Sequence, residues 1–232
     1  IGDSVLDLYT VGKLSGLTEV LFIERCIRLL KPGGRLGIVL PEGVLNNTNL
    51  QAVRELFEEM AKIILITSIP QDVFMASGAT VKPSLLFFKK FTTEERAQFD
   101  AIKQAATEEV GSKYQSQLDK IDSFLAERGN SAEEKKAKRA ERRALETKIA
   151  AEIWAIVKEK FDYTIPIAQV EKAGITTTGA ECENQLIDLL EEFTPYRKKH
   201  HMWASNELKF HYEIVDNKVV RTDQDGNTKE LC

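Results

Sequence analysis

The strongest constraint on the fold is an abrupt stop between an amphipathic stretch and an apolar run. Thr18 is a candidate helix cap, and residues 19–31 carry apolar side chains at helical spacing. The sequence Lys-Pro-Gly-Gly at residues 31–34 ends this predicted helix, because Pro cannot continue a helix and Gly adopts a left-handed turn at little cost. Residues 35–40 (RLGIVL) are a nearly unbroken apolar run, which is typical of a parallel strand covered on both faces.

The same alternation continues to residue 91. Thr48 and Gln51 fit a capping box, which predicts a helix with apolar residues on one side. Residues 63–69 and 84–89 are apolar runs that predict two further buried strands. Helices and strands of these lengths predict a doubly wound α/β sheet over residues 1–91.

Residues 92–160 differ sharply in composition. They contain no Pro and only two Gly, and charged residues and Ala dominate. Thr92 with Glu95 and Ser131 with Glu134 fit capping boxes, and the sequence Arg-Gly-Asn at 128–130 separates the two predicted helices. The apolar positions form a narrow seam, so this segment is predicted to be an antiparallel helical hairpin.

Residues 161–232 are predicted to form a small mixed region. An extended piece over 163–167 and a turn-rich piece over 174–179 precede a predicted helix around 186–193. Residues 209–215 and 218–222 fit a β-hairpin joined at the Asp-Asn pair 216–217, and the Asp-Gly pair 225–226 predicts another turn.

Composition excludes several kinds of protein. The formal net charge of −4 provides no global basic field, so contact with nucleic acid would need a local patch or another part of the protein. The cysteines Cys26, Cys182 and Cys232 are odd in number and widely spaced, which predicts no disulfide framework and favours a reducing cytoplasm. The longest apolar run is too short to cross a bilayer, so no membrane association is expected. His200 and His201 lack metal-site spacing, and no metal site is predicted.

Two segments resemble a known family. Residues 21–45 (LFIERCIRLLKPGGRLGIVLPEGVL) and 69–90 (IPQDVFMASGATVKPSLLFFKK) are similar to the methyltransferase (M) subunits of type I restriction–modification systems, in the N-6 adenine DNA methylase family. The KPGG turn supports only the wider superfamily, whereas LPEGVLNN at 40–47 and the second segment are narrower. Residues 163–179 also resemble a segment of the same family, but more weakly. The hairpin and the last thirty residues or so match nothing in it.

The resemblance implies a fold. It implies the C-terminal half of a class I S-adenosylmethionine-dependent methyltransferase sheet, which is Rossmann-like. The first segment would be a helix, the turn and the fifth strand, and the second would end in the antiparallel final strand. The helical hairpin and the mixed region would follow this half sheet.

The motifs that carry chemistry in this family are absent from the sequence. The family binds S-adenosylmethionine with a Gly-rich loop and methylates with an Asn-Pro-Pro-aromatic motif, and here no two prolines are adjacent. Residues 1–12 fit the region just beyond that motif, and the chain begins with Ile1. We therefore expect a piece of a longer protein that is inactive alone and contains no catalytic residue.

The resemblance also implies an activity and partners. The parent protein would transfer a methyl group from S-adenosylmethionine to N6 of adenine in DNA. It would work with a DNA-specificity subunit and, for cleavage, with a restriction (motor) subunit. Two alternatives stay open: a non-catalytic module for DNA contact or subunit assembly, and a methyltransferase that acts on protein, RNA or a small molecule.

Two groups of residues are candidates for contact with the target base. Phe74 lies in the loop between the last two predicted strands, where an aromatic ring commonly stacks on the flipped base in related enzymes. The alternative is that Phe74 packs under its own loop. Pro41, Glu42 and Gly43 follow a predicted strand, and the carboxyl ends of parallel strands line the ligand crevice of such sheets. The alternative is a structural turn that begins the next helix.

The densest basic cluster lies on the second helix of the hairpin. Its cations would contact DNA phosphates, and such contacts weaken with salt. Helical spacing spreads them over most of the circumference, so a solvated helix face is the alternative, and docking of the specificity subunit is another. The cluster consists of Lys135, Lys136, Lys138, Arg139, Arg142 and Arg143.

Overall fold

The computed structural model describes residues 2–127, 129–202, 210–215, 218–223 and 227–231. The helices are α1 (Asp3–Leu6), α2 (Thr18–Leu29), α3 (Gly43–Asn46), α4 (Gln51–Glu58), α5 (Thr93–Ala126), α6 (Ala132–Lys160) and α7 (Gln185–Lys199). The strands are β1 (Arg35–Pro41), β2 (Ala61–Ser68), β3 (Pro83–Lys90), β4 (Ile167–Gln169), β5 (Ala173–Ile175), β6 (Glu181–Asn184), β7 (Phe210–Val215), β8 (Lys218–Asp223) and β9 (Thr228–Leu231). Short 3-10 turns span Val11–Lys13, Thr48–Leu50 and Gln71–Ser77.

The main sheet has the strand order β1-β3-β2-β4. Strand β3 runs antiparallel to both neighbours, with Leu86 opposite Ile38 of β1 and opposite Ile66 of β2. Strand β4 joins β2 in parallel, so that Ile66 also faces Ile167. Strands β1 and β2 therefore share one direction, with the antiparallel final strand between them. The expected α/β class and the antiparallel final strand are confirmed.

Strand β1 differs from the prediction in its surroundings. It is the outer strand of the sheet in the part of the chain that the structure describes, and Val39 on its second face is 48% exposed. The expectation that residues 35–40 are covered on both faces was wrong. The second face of β1 stays exposed at Val39 because α2 and α4 both pack on the other face of the sheet, where they form one core with the strands.

The main core lies between that face of the sheet and the two helices. Apolar side chains of α2, α4 and all three long strands meet there, and burial of this surface is the main favourable term in folding. Its fully buried members include Val20, Ile23, Ile27, Leu40, Val53, Phe57, Leu86 and Phe88.

Helix α7 lies over the second face of the sheet without closing on it. A cavity of about 480 Å³ separates them, lined by Leu85 and Phe87 from the sheet and by Leu189 and Phe193 from the helix, among others. Thr67 also lines this cavity, and its buried hydroxyl makes no hydrogen bond. Such an orphaned group costs free energy, so this layer is packed less well than the main core.

The two capping boxes of the hairpin are confirmed. The Thr92 hydroxyl accepts the Glu95 N–H at 3.2 Å, and the Glu95 carboxylate accepts the Thr92 N–H at 2.9 Å. Ser131 and Glu134 repeat this exchange at the start of α6. Both helices therefore begin where the sequence predicts, because each cap satisfies backbone donors that have no partner within the helix.

The two other predicted caps were wrong. Thr18 is the first residue of α2, and no side chain caps that helix. Thr48 begins a 3-10 turn, and the side chain of Asn47 accepts the Asn49 N–H at 2.9 Å instead. Asn47 has the extended backbone that a capping residue needs, whereas Thr48 is already helical.

The foot of the hairpin is held to the sheet by aromatic rings. Phe99 of α5 lies 5.3 Å from both Phe91 and Phe161, measured between ring centroids, and Phe161 lies 6.4 Å from Tyr163. The Ile63 N–H of β2 donates to the Tyr163 hydroxyl at 3.2 Å. The predicted antiparallel pairing of the two helices is seen in the structure. The division into domains at 91/92 and 160/161 stays a prediction.

The C-terminal region contains more strands than the sequence predicts. Helix α7 and the pairing of β7 with β8 are as expected, with Val215 opposite Lys218. Strands β5 and β6 form a short pair before α7, and β9 extends the last sheet. The predicted turns at 216–217 and 225–226 lie outside the described residues, as does position 128 of the predicted break between the hairpin helices.

The aromatic foot makes a stability prediction. Phe99→Ala should lower the free energy of unfolding by about 3–5 kcal/mol, because Phe99 is 2% exposed and its loss leaves a cavity. Phe22→Ala is the matched control: Phe22 is 59% exposed, so the change should be within about 0.5 kcal/mol. Equilibrium urea unfolding measures both, and equal losses would contradict the packing described.

Candidate functional site

The carboxyl ends of β1 and β2 lie at one edge of the sheet, beside the start of β3. Pro41 at the end of β1 pairs with Pro83, and Ser68 at the end of β2 pairs with Ser84. The Val170 N–H, just beyond β4, donates to the Ser68 carbonyl at 3.0 Å. Residues 41–43 and the loop between β2 and β3 therefore lie at the same edge, as the two groups of target-base candidates require.

The turn after β1 begins a helix and is tied to β3. The Glu42 N–H donates to the Lys82 carbonyl at 2.9 Å, and the Glu42 carboxylate lies 3.2 Å from Lys82 Nζ. The Glu42 carbonyl accepts the Leu45 N–H at 2.9 Å, which starts α3. Gly43 is exposed, with no other atom within 4 Å of the place a Cβ would occupy. These contacts fit a turn that begins a helix, and Gly43 leaves open space beside it, so contact with the target base stays a prediction.

The loop that carries Phe74 is an ordered 3-10 turn. Gly78 ends it with a φ of 84°, a left-handed conformation that Gly adopts without strain. The Ala79 N–H donates to the Phe74 carbonyl at 3.1 Å, and the Gln71 amide donates to the Thr80 carbonyl. Phe74 is half-buried, whereas its neighbour Met75 is 41% exposed. Part of the Phe74 ring is therefore accessible from solvent.

A turn from much later in the chain supports this loop. Gly179, between β5 and β6, lies so close that a Cβ built on it would be 3.6 Å from the Ala76 Cβ. Thr176 holds the turn, because its N–H donates to the Ala180 carbonyl at 2.9 Å and its hydroxyl accepts the Ala180 N–H at 3.1 Å. The sequence predicts a turn here, but it carries no signal that this turn contacts the Phe74 loop.

A buried carboxylate anchors the start of the chain, and the sequence did not reveal it. Glu24 of α2 is fully buried, and its carboxylate accepts the Thr10 N–H at 3.0 Å and the Val11 N–H at 2.8 Å. Arg28 forms an ion pair with the same carboxylate and donates to the Leu8 carbonyl at 3.2 Å. This pair holds residues 8–11 against α2.

Apolar character alone does not identify the buried face of this helix. Among the apolar residues at helical spacing in 19–31, Ile23 and Ile27 are buried, but Phe22 is exposed and Cys26 is half-buried. Glu24 lies four residues after Val20 and three before Ile27, so helical spacing alone places it among buried residues. That spacing was the signal that could have identified it.

The basic cluster of α6 divides into paired and unpaired cations. Arg142 bonds Asp122 of α5 at 2.9 Å and Glu146 at 2.5 Å, and Lys138 lies 2.7 Å from Glu141. Lys135 is half-buried. Within the described parts of the chain, Lys136, Arg139 and Arg143 are exposed and form no ion pair.

Comparison with known families assigns the chain. A model described as N-6 DNA Methylase matches residues 15–147, which is more than half of the chain. The chain belongs to the N-6 DNA methylase family. The match includes α2, the three long strands and most of the helical hairpin, so the expectation that the hairpin matches nothing in this family was wrong. No curated protein gives a significant match.

Two solved structures are similar to parts of this N-6 DNA methylase chain. One is a putative class I S-adenosylmethionine-dependent methyltransferase from Listeria monocytogenes, 25% identical, with a TM-score of 0.35 and covering 39% of this chain and 28% of that one. The other structure comes from a study of complex assembly and conformational transition of the type I R-M system. It is 34% identical to this chain, with a TM-score of 0.30, and the similarity covers 33% of this chain and 16% of that one. The chain thus spans less than a third of either protein.

The connection after β1 is not a Gly-rich loop of the kind that binds S-adenosylmethionine. The connection after β1 contains one glycine, Gly43, and its acidic side chain, Glu42, is already paired with Lys82. In the parts of the chain that the structure describes, no three His, Cys, Asp or Glu residues are grouped as metal ligands. Within the same ranges, no helix is both long and apolar enough to cross a membrane.

A polar recess of about 270 Å³ opens at the opposite edge of the sheet. Glu95 lies 3.0 Å from Lys62 Nζ and 2.9 Å from Lys89 Nζ, and all three residues line the recess. Burial raises the pKa of Tyr163 in this recess to about 12. Burial also raises the pKa of Glu95, but the Thr92 N–H, Lys89 and Lys62 outweigh that effect, so the pKa of Glu95 is lowered overall.

The lowered pKa of Glu95 predicts a pH-dependent contribution to stability. A depressed pKa in the folded state stabilises the fold above the unfolded value, near 4.5, and this contribution is lost as pH falls through the folded pKa. Glu95→Gln should therefore destabilise the protein at pH 7, and its difference from wild type should shrink below pH 4.5. Urea unfolding between pH 3 and 7 measures this. The exposed Glu109→Gln is the control, and a difference for Glu95→Gln that is independent of pH would refute the prediction.

Proposed function

We propose that this chain is the C-terminal part of the methyltransferase subunit of a type I restriction–modification system. The proposal depends mainly on the match of residues 15–147 to the N-6 DNA methylase family. The half sheet with β3 antiparallel between β1 and β2 is consistent with it. The complete protein would transfer a methyl group from S-adenosylmethionine to N6 of adenine in DNA, and this chain alone would be inactive.

Phe74 is the proposed stacking partner of the target base. A methyltransferase cannot reach its target atom inside a duplex, so it extrudes the nucleotide and holds it between apolar or aromatic surfaces. Phe74 is half-buried, and its loop is held by hydrogen bonds and lies against the turn of Gly179, which favours stacking by an aromatic ring at this edge. Pro41, Glu42 and Gly43 would line the neighbouring side of the pocket.

The proposed partners follow from the same assignment. DNA would lie against the edge that carries Phe74, and S-adenosylmethionine would be held chiefly by a part of the protein outside this chain. A specificity subunit would select the DNA sequence, and a restriction (motor) subunit would join for cleavage in the cytoplasm. The long, largely polar faces of the helical hairpin are a candidate surface for assembly with these subunits.

The role of Phe74 is testable in the complete methyltransferase. Phe74→Ala should lower kcat/KM for DNA methylation about 5- to 150-fold, because stacking of one base on an aromatic ring contributes about 1–3 kcal/mol. Tritium transfer from labelled S-adenosylmethionine measures the rate, and the emission of 2-aminopurine at the target position reports base extrusion. Phe74→Tyr should retain most activity because it keeps the ring.

Met75→Ala is the matched control, because Met75 is the exposed neighbour in the same turn. Similar losses in Met75→Ala and Phe74→Ala, or unchanged 2-aminopurine emission in Phe74→Ala, would reject stacking by Phe74. The product decides the substrate class. N6-methyladenine in DNA supports the proposal, and a methyl group found only on protein, RNA or a small molecule overturns it.

A further inference from the structure

Three cations on α6 share one exposed face. Lys136, Arg139 and Arg143 are separated by three, four and seven residues, which places them within about 60° of each other around a helix. Lys138 and Arg142 turn instead towards pairing partners, the latter with Asp122 of α5. The expectation that the six basic residues spread over most of the helix circumference was wrong, because at 100° per residue all six fall within about 160°. Lys135 also forms no ion pair among the described residues, but it is half-buried, whereas these three cations are exposed.

The neighbours of these three cations at helical spacing are small or charged. Glu133 precedes Lys136 by three residues, and Glu146 follows Arg143 by three, so one carboxylate flanks each end. Helical spacing puts Ala140 and Thr147 on the same side, whereas Glu141 falls on another face and pairs with Lys138. Glu146 is engaged by Arg142. Short neighbouring side chains let a partner approach the helix backbone closely, and no carboxylate of the described part of α6 lies between the three cations.

We propose that Lys136, Arg139 and Arg143 form a contact stripe for the phosphate backbone of DNA. The stripe extends about 10.5 Å along the helix axis, since each residue rises about 1.5 Å. Every nucleotide of both DNA strands carries one negative charge, so each of the three cations can neutralise one phosphate. Such contacts position a duplex without reading its sequence. The relevance to methylation rests on the proposed function, whereas the binding itself does not.

The chemistry of the stripe favours DNA over other acidic partners. A helix that binds a membrane surface needs a large apolar face beside its cations, and no large apolar residue lies three or four positions from any of these three. The centres of protein interfaces are enriched in aromatic residues, and residues 132–153 contain none, so this stripe is distinct from the hairpin surface proposed for subunit assembly. Phosphate contacts need only exposed cations, of which Arg also provides a planar, multidentate donor.

The salt dependence of DNA binding tests the stripe in this whole chain. A fluorescein-labelled 20-base-pair duplex of mixed sequence is titrated with protein, and anisotropy gives the affinity between 50 and 200 mM NaCl. With three phosphate contacts, the affinity for DNA should fall about 40-fold between 50 and 200 mM NaCl. With one remaining contact, it should fall about 3.5-fold. Arg139→Gln/Arg143→Gln should therefore bind more weakly at 50 mM and lose only about 3.5-fold.

Lys138→Gln/Arg142→Gln is the matched control, because it removes the same charge from the same helix but from paired positions. The affinity of this control should still fall about 40-fold between 50 and 200 mM NaCl. The affinity of Arg139→Lys/Arg143→Lys should fall by the same factor. Equal slopes for the two Gln variants, or no salt-dependent binding by wild type, would overturn the proposal. Circular dichroism confirms that each variant is folded. Neither S-adenosylmethionine nor a target site is present, so failure here is distinct from failure of the methyltransferase assignment.

Discussion

The structure depends on the antiparallel insertion of β3 between β1 and β2. Backbone groups of β3 are paired on both sides, with Leu86 opposite both Ile38 and Ile66, so this strand joins two that do not touch. The chain must therefore reverse direction at the carboxyl ends of β1 and β2, and the loop that carries Phe74 makes that reversal. It must also leave the sheet at the opposite edge, where the hairpin begins.

The sequence was sufficient to predict structural features that depend only on residues close together in the chain. The KPGG stop, the three long strands and the two capping boxes each follow from a few adjacent positions. Prediction from the sequence failed where the contact partner of a residue is far away in the chain, and where the buried face of a helix had to be identified. Nothing near Asp122 predicts its bond with Arg142, and nothing near Ala76 predicts Gly179 beside it. Glu24 was missed because a carboxylate is normally expected outside the core.

The sequence predicted where the candidate site lies better than it predicted which segments contact and support the site. Residues 41–43 and Phe74 were placed at the strand ends because chain order and strand direction decide that position. The strands β4, β5 and β6 are too short to give a periodic signal in the sequence, and all three follow the hairpin. Strand β4 joins the main sheet, and the separate pair of β5 and β6 carries the supporting turn. Support of a loop by a segment a hundred residues away is a property of the three-dimensional fold.

The attachment of the hairpin by its foot has a consequence for how its length can change. Contacts with the rest of the α/β unit come from the start of α5, through Phe99 and through the ion pair of Lys103 with Glu59 at the end of α4, and from the end of α6, through Phe161. The hairpin thus returns the chain to nearly the point it left, and β4 then pairs with β2. Matched insertions or deletions of whole turns in both helices would change the reach of the hairpin while leaving the sheet undisturbed, since loop-closure entropy depends only weakly on length.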